Sequence, residues 1–255
     1  MSAIDNPADR WAKTIVDLPL NAGPLHNLTL ERQELSGTSS LALEQDIFKV
    51  RLANSDGRRE SADLLIKKMY AWRGYDTSSA LSDTPNRITL MADLKGHIIG
   101  TLTLGLDSSM GLLVDQLYKD EIDRLRQAKR LVCEFTKLAV DQASYSQRVI
   151  AALFHLAYIY AHKIHGATDL VIEVNPRHVI FYQRMLGFSQ LGEERMCPRV
   201  NAPAVLLRLT SEFIGAQTAQ YGGAMRELPE VRSLYPFAFS AEDEAGITQR
   251  LMRGD

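Results

Sequence analysis

The stretch QRVIAALFHLAYIYAHKIHGATDLVIEVNPRHVIFYQRMLGF, Gln147 to Phe188, decides the fold of this chain. Its first part places Val149, Leu153, Leu156 and Ile159 on one face of a helix that runs to about His165, with Gly166 where a C-cap belongs. DLVIEV, Asp169 to Val174, is a short apolar run of the kind buried inside a sheet. Asn175-Pro176 then opens another helix, because proline fits a first turn and asparagine caps it, and that helix ends near Gly187. Helix, buried strand, helix is the grammar of a sheet whose faces are covered.

The flanks extend the same layout. IFKVRLAN, Ile47 to Asn54, alternates with period two and reads as a half-buried strand. Residues Glu60 to Trp72 place Leu64, Leu65, Met69 and Trp72 at helical spacing, with Lys67 and Lys68 on another face. Ile88 to Leu106 reads as a hairpin turning at Lys95-Gly96. Asp115 to Gln127 is a charged amphipathic helix, Arg130 to Asp141 a long apolar strand, and Val205 to Thr210 a last strand. The expected fold is therefore a single α/β domain over residues 45–210, a mixed central sheet flanked by helices. Residues 1–44, polar and interrupted by Pro7, Pro19 and Pro24, read as a partly ordered arm. Residues 211–255 read as a C-terminal extension with one helix near Ala241 to Met252.

Composition excludes several classes of function. The chain has 255 residues, 29 Lys+Arg against 31 Asp+Glu, and a formal charge of −2. Near-neutral balance gives no whole-molecule electrostatic case for nucleic acid or membrane binding. No apolar run is long enough for a signal peptide or a membrane span. Cys133 and Cys197 lack CxxC or metal-ligand spacing, so a reduced, cytoplasmic setting is expected and no metal site. His155, His162 and His165 share one helix but not one face with a carboxylate. GTLTLGLDSSMG, from Gly100, is glycine-spaced but lies inside the hairpin, so it is no nucleotide loop.

The chemistry-bearing residues cluster around the decisive stretch. Asn175, Phe181, Tyr182, Gly187 and Phe188 resemble the strand-to-helix signature of the GNAT acyltransferase superfamily. The loop that enters the first helix of the stretch departs from that superfamily. SQRVIA, Ser146 to Ala151, has Val149 where the coenzyme A-binding pattern has its first glycine, and a β-branched side chain hinders close backbone approach to a pyrophosphate. A single phosphate, as on a carrier-protein phosphopantetheine, needs less of that loop.

Three further blocks resemble the long-chain N-acyl amino acid synthases (FeeM-like) and, more distantly, the acyl-homoserine-lactone synthases. They are YAWRGYD from Tyr70, the run from Gly100 to Arg126 with Asp107, Gly111-Leu112, Asp115, Tyr118, Glu121 and Leu125-Arg126, and CEFTKLAVD from Cys133. In the last block Thr136 and Lys137 stand where the families carry Ser and Arg.

The resemblance implies transfer of a long acyl group from the phosphopantetheine thioester of an acyl carrier protein, or from acyl-CoA, to the α-amine of an amino acid. No tightly bound cofactor is expected. Glu134 is the candidate base, with Thr136 beside it and Tyr182 as proton donor to the leaving thiolate. Val140, Ser146, Gln147, Arg148 and Asn175 fall where the donor's phosphopantetheine binds, and Tyr70, Trp72, Phe154 and Tyr158 are candidates for the acyl pocket. Arg124, Arg126, Lys129 and Arg130 form a basic cluster, extended by Arg58, Arg59, Lys67, Lys68 and Arg148, on which an acidic carrier protein would dock.

Each residue also has a plainer reading. A carboxylate inside an apolar strand is costly unless paired, so Glu134 is ion-paired with Lys or Arg or engaged with substrate. Period two puts Glu134, Thr136, Leu138 and Val140 on one face of their strand, and Lys137 on the other unless a bulge intervenes. Phe154 and Tyr158 also suit an ordinary core, and the basic cluster also suits the end of its helix. A coenzyme A-dependent N-acetyltransferase and a non-catalytic acyl-binding module would share the fold. The lactone-synthase variant fits less well, because Lys67 and Lys68 replace an arginine pattern.

Overall fold

A computed structural model describes residues 14–20, 46–53, 56–72, 86–141, 146–225 and 230–253. Nine strands and six α-helices build it. In chain order they are β1 Val16–Pro19, β2 Ile47–Leu52, α1 Asp56–Trp72, β3 Arg87–Leu94, β4 His97–Leu106, α2 Asp115–Gln127, β5 Val132–Val140, α3 Gln147–Tyr158, β6 Asp169–Val174, α4 Val179–Leu186, β7 Ser189–Gln190, β8 Arg195–Cys197, β9 Ala202–Thr210, α5 Ser211–Tyr221 and α6 Ala241–Arg253. A π-helical turn, Ile159–Ile164, carries α3 towards Gly166, and short 3₁₀ turns precede α4 and α6.

The sheet runs β1-β2-β3-β4-β5-β6-β9-β7, with β8 also on β9. Every neighbouring pair is antiparallel except β5 and β6. Alternation along the strands sorts the helices to two faces. Val132, Val171 and Leu206 point to α2, and Ala139 packs with Leu65, Ile66 and Met69 of α1. Cys133, Phe135, Leu170, Ile172 and Leu207 point to the other face, where α3 and α4 bury their apolar sides. α3 is buried from Val149 to Tyr158 because sheet and C-terminal elements cover it on both sides.

One expectation is corrected, and three features go beyond the sequence reading. In α1 the buried stripe is Ala62, Leu65, Ile66 and Met69, while Leu64 stands 71% exposed, one position off that stripe. α5, β7 and β8 carry too weak a period to read: α5 buries only Ser211, Ile214 and Thr218. The C-terminal extension does not stand apart, since Leu234, Tyr235, Phe239, Ile247 and Leu251 belong to the main core. The last feature lies in β5, where the sequence reading allows for a bulge. Thr103 pairs with Thr136 but Thr101 pairs with Ala139, so β5 carries one extra residue there. Lys137 sits at φ 52°, the left-handed region that marks such a bulge. Beyond it the strand reverses its facing: Ala139 turns to α1, and Val140 joins the α3 side with Phe135.

Of the arm, Val16–Pro19 pairs antiparallel with β2 as an edge strand. The rest of that expectation lies outside the described residues.

Candidate active site

Parallel pairing of β5 with β6 stops at Phe135 and Ile172, although both strands continue. They part, and their facing edges from Thr136 and Glu173 onward open a cleft through the sheet. On the α3 side it is a space of about 110 Å³ lined by Phe135, Leu138, Phe154, Asn175 and Tyr182. On the other side it widens to about 360 Å³, with Arg87, Lys137, Glu173 and Arg199 among its walls. Tyr70, Thr136, Lys137, Glu173, Val174 and Asn175 border both spaces. The bulge is what brings Thr136 and Lys137 to the same opening.

Glu134 does not share that opening. It is 1% exposed. Its Oε1 accepts from the amide of Leu113 at 2.9 Å and its Oε2 from that of Val114 at 3.0 Å. Arg87 Nη2 donates to Oε1 at 3.0 Å. Burial lifts its carboxyl above the usual carboxylate range, with the two amides and Arg87 pulling the other way. Gly105 lies opposite in the β4 register, and a Cβ there would come within 2.9 Å of Glu134 Cγ and Oε1, so only glycine lets the side chain cross. The carboxylate therefore stands one layer behind the cleft wall, holding Arg87 and Leu113, which do line it. The expectation that Glu134 and Thr136 share a cleft face fails because the carboxylate is drawn to these donors. Thr136 itself borders both spaces.

The cleft's own carboxylate is Glu173, paired with Arg199 at 2.7 Å. Arg199 also donates to the Leu113 carbonyl at 3.1 Å and to Gln116 at 2.9 Å. Lys137 lies below the usual lysine range because of burial and then of the nearby Arg87 charge. Arg87, Glu173 and Arg199 were absent from the sequence expectations. Glu173 alone left a signal, a carboxylate at the end of the apolar run before Asn175-Pro176. Arg87 opens a strand and Arg199 sits in a loop, where no period marks them.

The donor-side residues gather at the start of α3. Ser146 caps it, its Oγ accepting from the amide of Arg148 at 3.2 Å. Gln147 and Arg148 are partly exposed in the first turn. Val149 points into the sheet: a Cβ on Gly100 would meet its Cγ1 at 3.0 Å. The valine that replaces the loop glycine is thus spent on packing over β4, and the residues before Ser146, 142–145, lie outside the described residues. Val140 is core, turned to the α3 side. Asn175 caps the turn after β6, accepting from Arg177 and donating to the Pro203 carbonyl at 3.3 Å each. Tyr182 borders the inner space with its ring packed against Phe154, Phe181 and Phe188. Phe154 borders that space too, and Tyr70 both spaces. Tyr158 lies deeper, and the side chain of Trp72 lies outside the described residues.

The basic cluster is only half available. Arg126 binds Asp107 through two bonds of 2.7 and 2.8 Å, Asp115 through two of 2.8 and 2.7 Å, and Asp123 at 2.7 Å. Arg130 is bonded to Asp169, a fully buried carboxylate that also receives Arg208 at 2.7 Å. Arg124 and Lys129 remain exposed.

A mixed sheet whose central strands part beside a helix start, opening a space on each face, is an acyltransferase core of the GNAT type. A family model for the N-acyl amino acid synthase FeeM matches residues 61–210, and the chain belongs to that family. The solved structure of FeeM, an N-acyl amino acid synthase from uncultured soil microbes, is 27% identical with a TM-score of 0.58, over 65% of this chain and 90% of that one. An acyl-CoA N-acyltransferase from Pseudomonas aeruginosa is 14% identical at TM-score 0.45, over 63% and 97% of the two chains. The AHL synthase LasI is 13% identical at TM-score 0.44, over 65% and 91%. No curated protein matches the sequence.

Proposed function

We propose that the protein moves a long acyl group from the phosphopantetheine thioester of an acyl carrier protein to the α-amine of an amino acid, by direct attack. The observation that carries this reading is the two-sided opening between β5 and β6. On the α3 side the apolar wall of Leu102, Phe135, Leu138 and Phe154 suits the start of an acyl chain, with polar groups at the mouth for the thioester. The outer space carries Arg87 and Arg199, bonded to Glu134 and Glu173, with Lys137 beside them, a group of cations that suits an acceptor carrying a carboxylate.

In this scheme the acceptor nitrogen attacks the thioester carbonyl through the gap. The C–N bond forms, the C–S bond breaks, and the phenol of Tyr182 gives its proton to the departing sulfur. Glu173, or a water it orients, takes the proton of the amine. Backbone amides on the unpaired edge of β5 are the available donors for the tetrahedral oxyanion. Glu134 serves as a positioning residue, holding Arg87 and the Leu113 amide in the wall. Direct attack also suits the thiols. Burial pushes both Cys133 and Cys197 up, and a hydrogen bond to Glu173 adds to it for Cys197, so neither supplies a thiolate for an acyl-enzyme. Both are free, which fits a reducing, cytoplasmic setting.

A carrier protein is favoured over coenzyme A as donor because Val149, packed on Gly100, removes the glycine of the pyrophosphate loop. Lys67 and Lys68 on α1, with Lys68 3.7 Å from Asp141 just past the end of β5, are the exposed cations of the cluster on the donor side, whereas Arg124 and Lys129 stand before the start of β5, at the opposite end of that strand. The test is purified protein with long-chain acyl-carrier-protein or acyl-CoA donors and a mixture of amino acids, products read by mass spectrometry. N-acyl amino acids with the carrier-protein donor and little with acyl-CoA are expected. Saturable turnover with acetyl-CoA and none with carrier protein overturns the reading.

A further inference from the structure

Behind the inner space, past Phe135 and Phe154, lies a further apolar space of about 30 Å³. The two spaces share those two rings, whose centroids stand 5.7 Å apart. The far wall is built by Ile214, Thr218, Leu234, Tyr235 and Ala238. All five lie beyond residue 210, where the family match ends.

Polar bonds fix this wall to the acyltransferase core. The hydroxyl of Tyr235 donates to the Leu186 carbonyl at 2.7 Å. The Phe239 amide donates to His155 Nδ1 at 3.0 Å, and Glu244 Oε2 lies 2.8 Å from the other ring nitrogen, with Lys163 at 2.9 Å from Oε1. A wall held at several points from one segment is a rigid stop.

We propose that the C-terminal segment is the length gauge of the acyl pocket. The chain enters between the parted strands, passes Phe135 and Phe154, and its methyl end abuts Leu234, Tyr235 and Ala238. This rests on the acyl-transfer reading above. Each methylene that stays buried adds affinity, roughly fourfold. Once the chain meets the wall, a further methylene must be overpacked or left in water. The cavity has room for about two water-sized groups, so it accepts the last carbons of a chain and no more.

The test gives the full-length protein an equimolar ladder of even-numbered saturated acyl-carrier-protein donors and reads the product distribution by mass spectrometry. Leu234→Ala enlarges the cavity and shifts the preferred length up by about two carbons. Ala238→Leu fills it and shifts the preference down by a similar amount, with Ala238→Val as the milder variant if the larger side chain prevents folding. Opposite shifts from the two variants, in proteins whose melting temperatures show them folded, are the expected result. Folded variants with the wild-type distribution overturn the gauge. If the wild type forms no product with any donor, the transfer reading fails instead. Displacement of a fluorescent fatty acid by free fatty acids of graded length then tests the gauge, which stands if the variants move the length dependence and falls if they do not.

Discussion

Glu134 shows how a carboxylate in an apolar strand can be fully bonded without reaching the cleft. Its two oxygens close three bonds, to two amides of the segment before α2 and to Arg87, and glycine at 105 clears its path. The sequence reading found the residue and allowed for an ion pair with Lys or Arg. It lacked the partners, because Arg87 lies 47 positions away and the amides belong to a loop. Lys137 was legible in type but not in direction: only a left-handed residue and a shifted register reveal the bulge that turns it to the opening. Glu134→Gln tests the positioning role. A carboxamide can accept from only one of two facing amides, so its NH₂ confronts a donor and one buried N–H goes unpaired, at a cost of about 1 to 3 kcal/mol. The expected outcome is a lower denaturation midpoint together with slower turnover, while donor binding holds. Wild-type stability in the glutamine variant would dismiss the strut.

At the scale of elements, the run from Gly100 to Arg126 is the most informative. Each of its marked positions has a mechanical task in this structure. Asp107 and Asp115 clamp Arg126, and Asp115 Oδ2 also accepts from the Leu112 amide at 2.7 Å. Gly111 turns at φ 70°. Tyr118 donates to the Glu193 and Ala204 carbonyls at 2.9 and 2.7 Å, and burial lifts its phenol to about 12. Glu121 receives Arg195 at 2.7 Å. These contacts seat α2 so that Leu113 and Val114 meet Glu134. The pattern was readable as a family resemblance, but its meaning was not, since the partners of Arg126 lie 3, 11 and 19 residues away. The same contacts explain why Arg126 is a poor docking residue. Arg126→Met leaves Asp107 and Asp115 without their cation, while Asp123 keeps Lys119 at 2.6 Å, and should cost about 3 kcal/mol, or roughly 10 °C in Tm for a chain of this size. A loss of carrier-protein affinity at unchanged stability would return Arg126 to the docking surface.

For the whole molecule, the central strands and the helices that flank them follow from periodicity, whereas the order of the strands in the sheet and the joining of the C-terminal segment to the core do not. That junction is polar and long-range. Burial works against the Glu244 carboxylate, yet hydrogen bonds from His155 and Lys163 hold it at about 2, against 4.5 for a free glutamate. A group whose folded value is depressed contributes stability that is complete above its unfolded value and disappears as pH falls through the folded one. The window is therefore pH 4.5 down to about 2, and the difference corresponds to about 3 kcal/mol. In urea unfolding followed as a function of pH, Glu244→Gln should be less stable than wild type above pH 5, with the gap closing towards pH 2. A gap independent of pH would mean that the carboxylate is not the acid-sensitive link. Because this bond anchors the wall that ends the acyl pocket, the same variant at neutral pH should also broaden the distribution of acyl lengths. A junction loosened enough to lose stability but not to blur that distribution would separate the latch from the gauge.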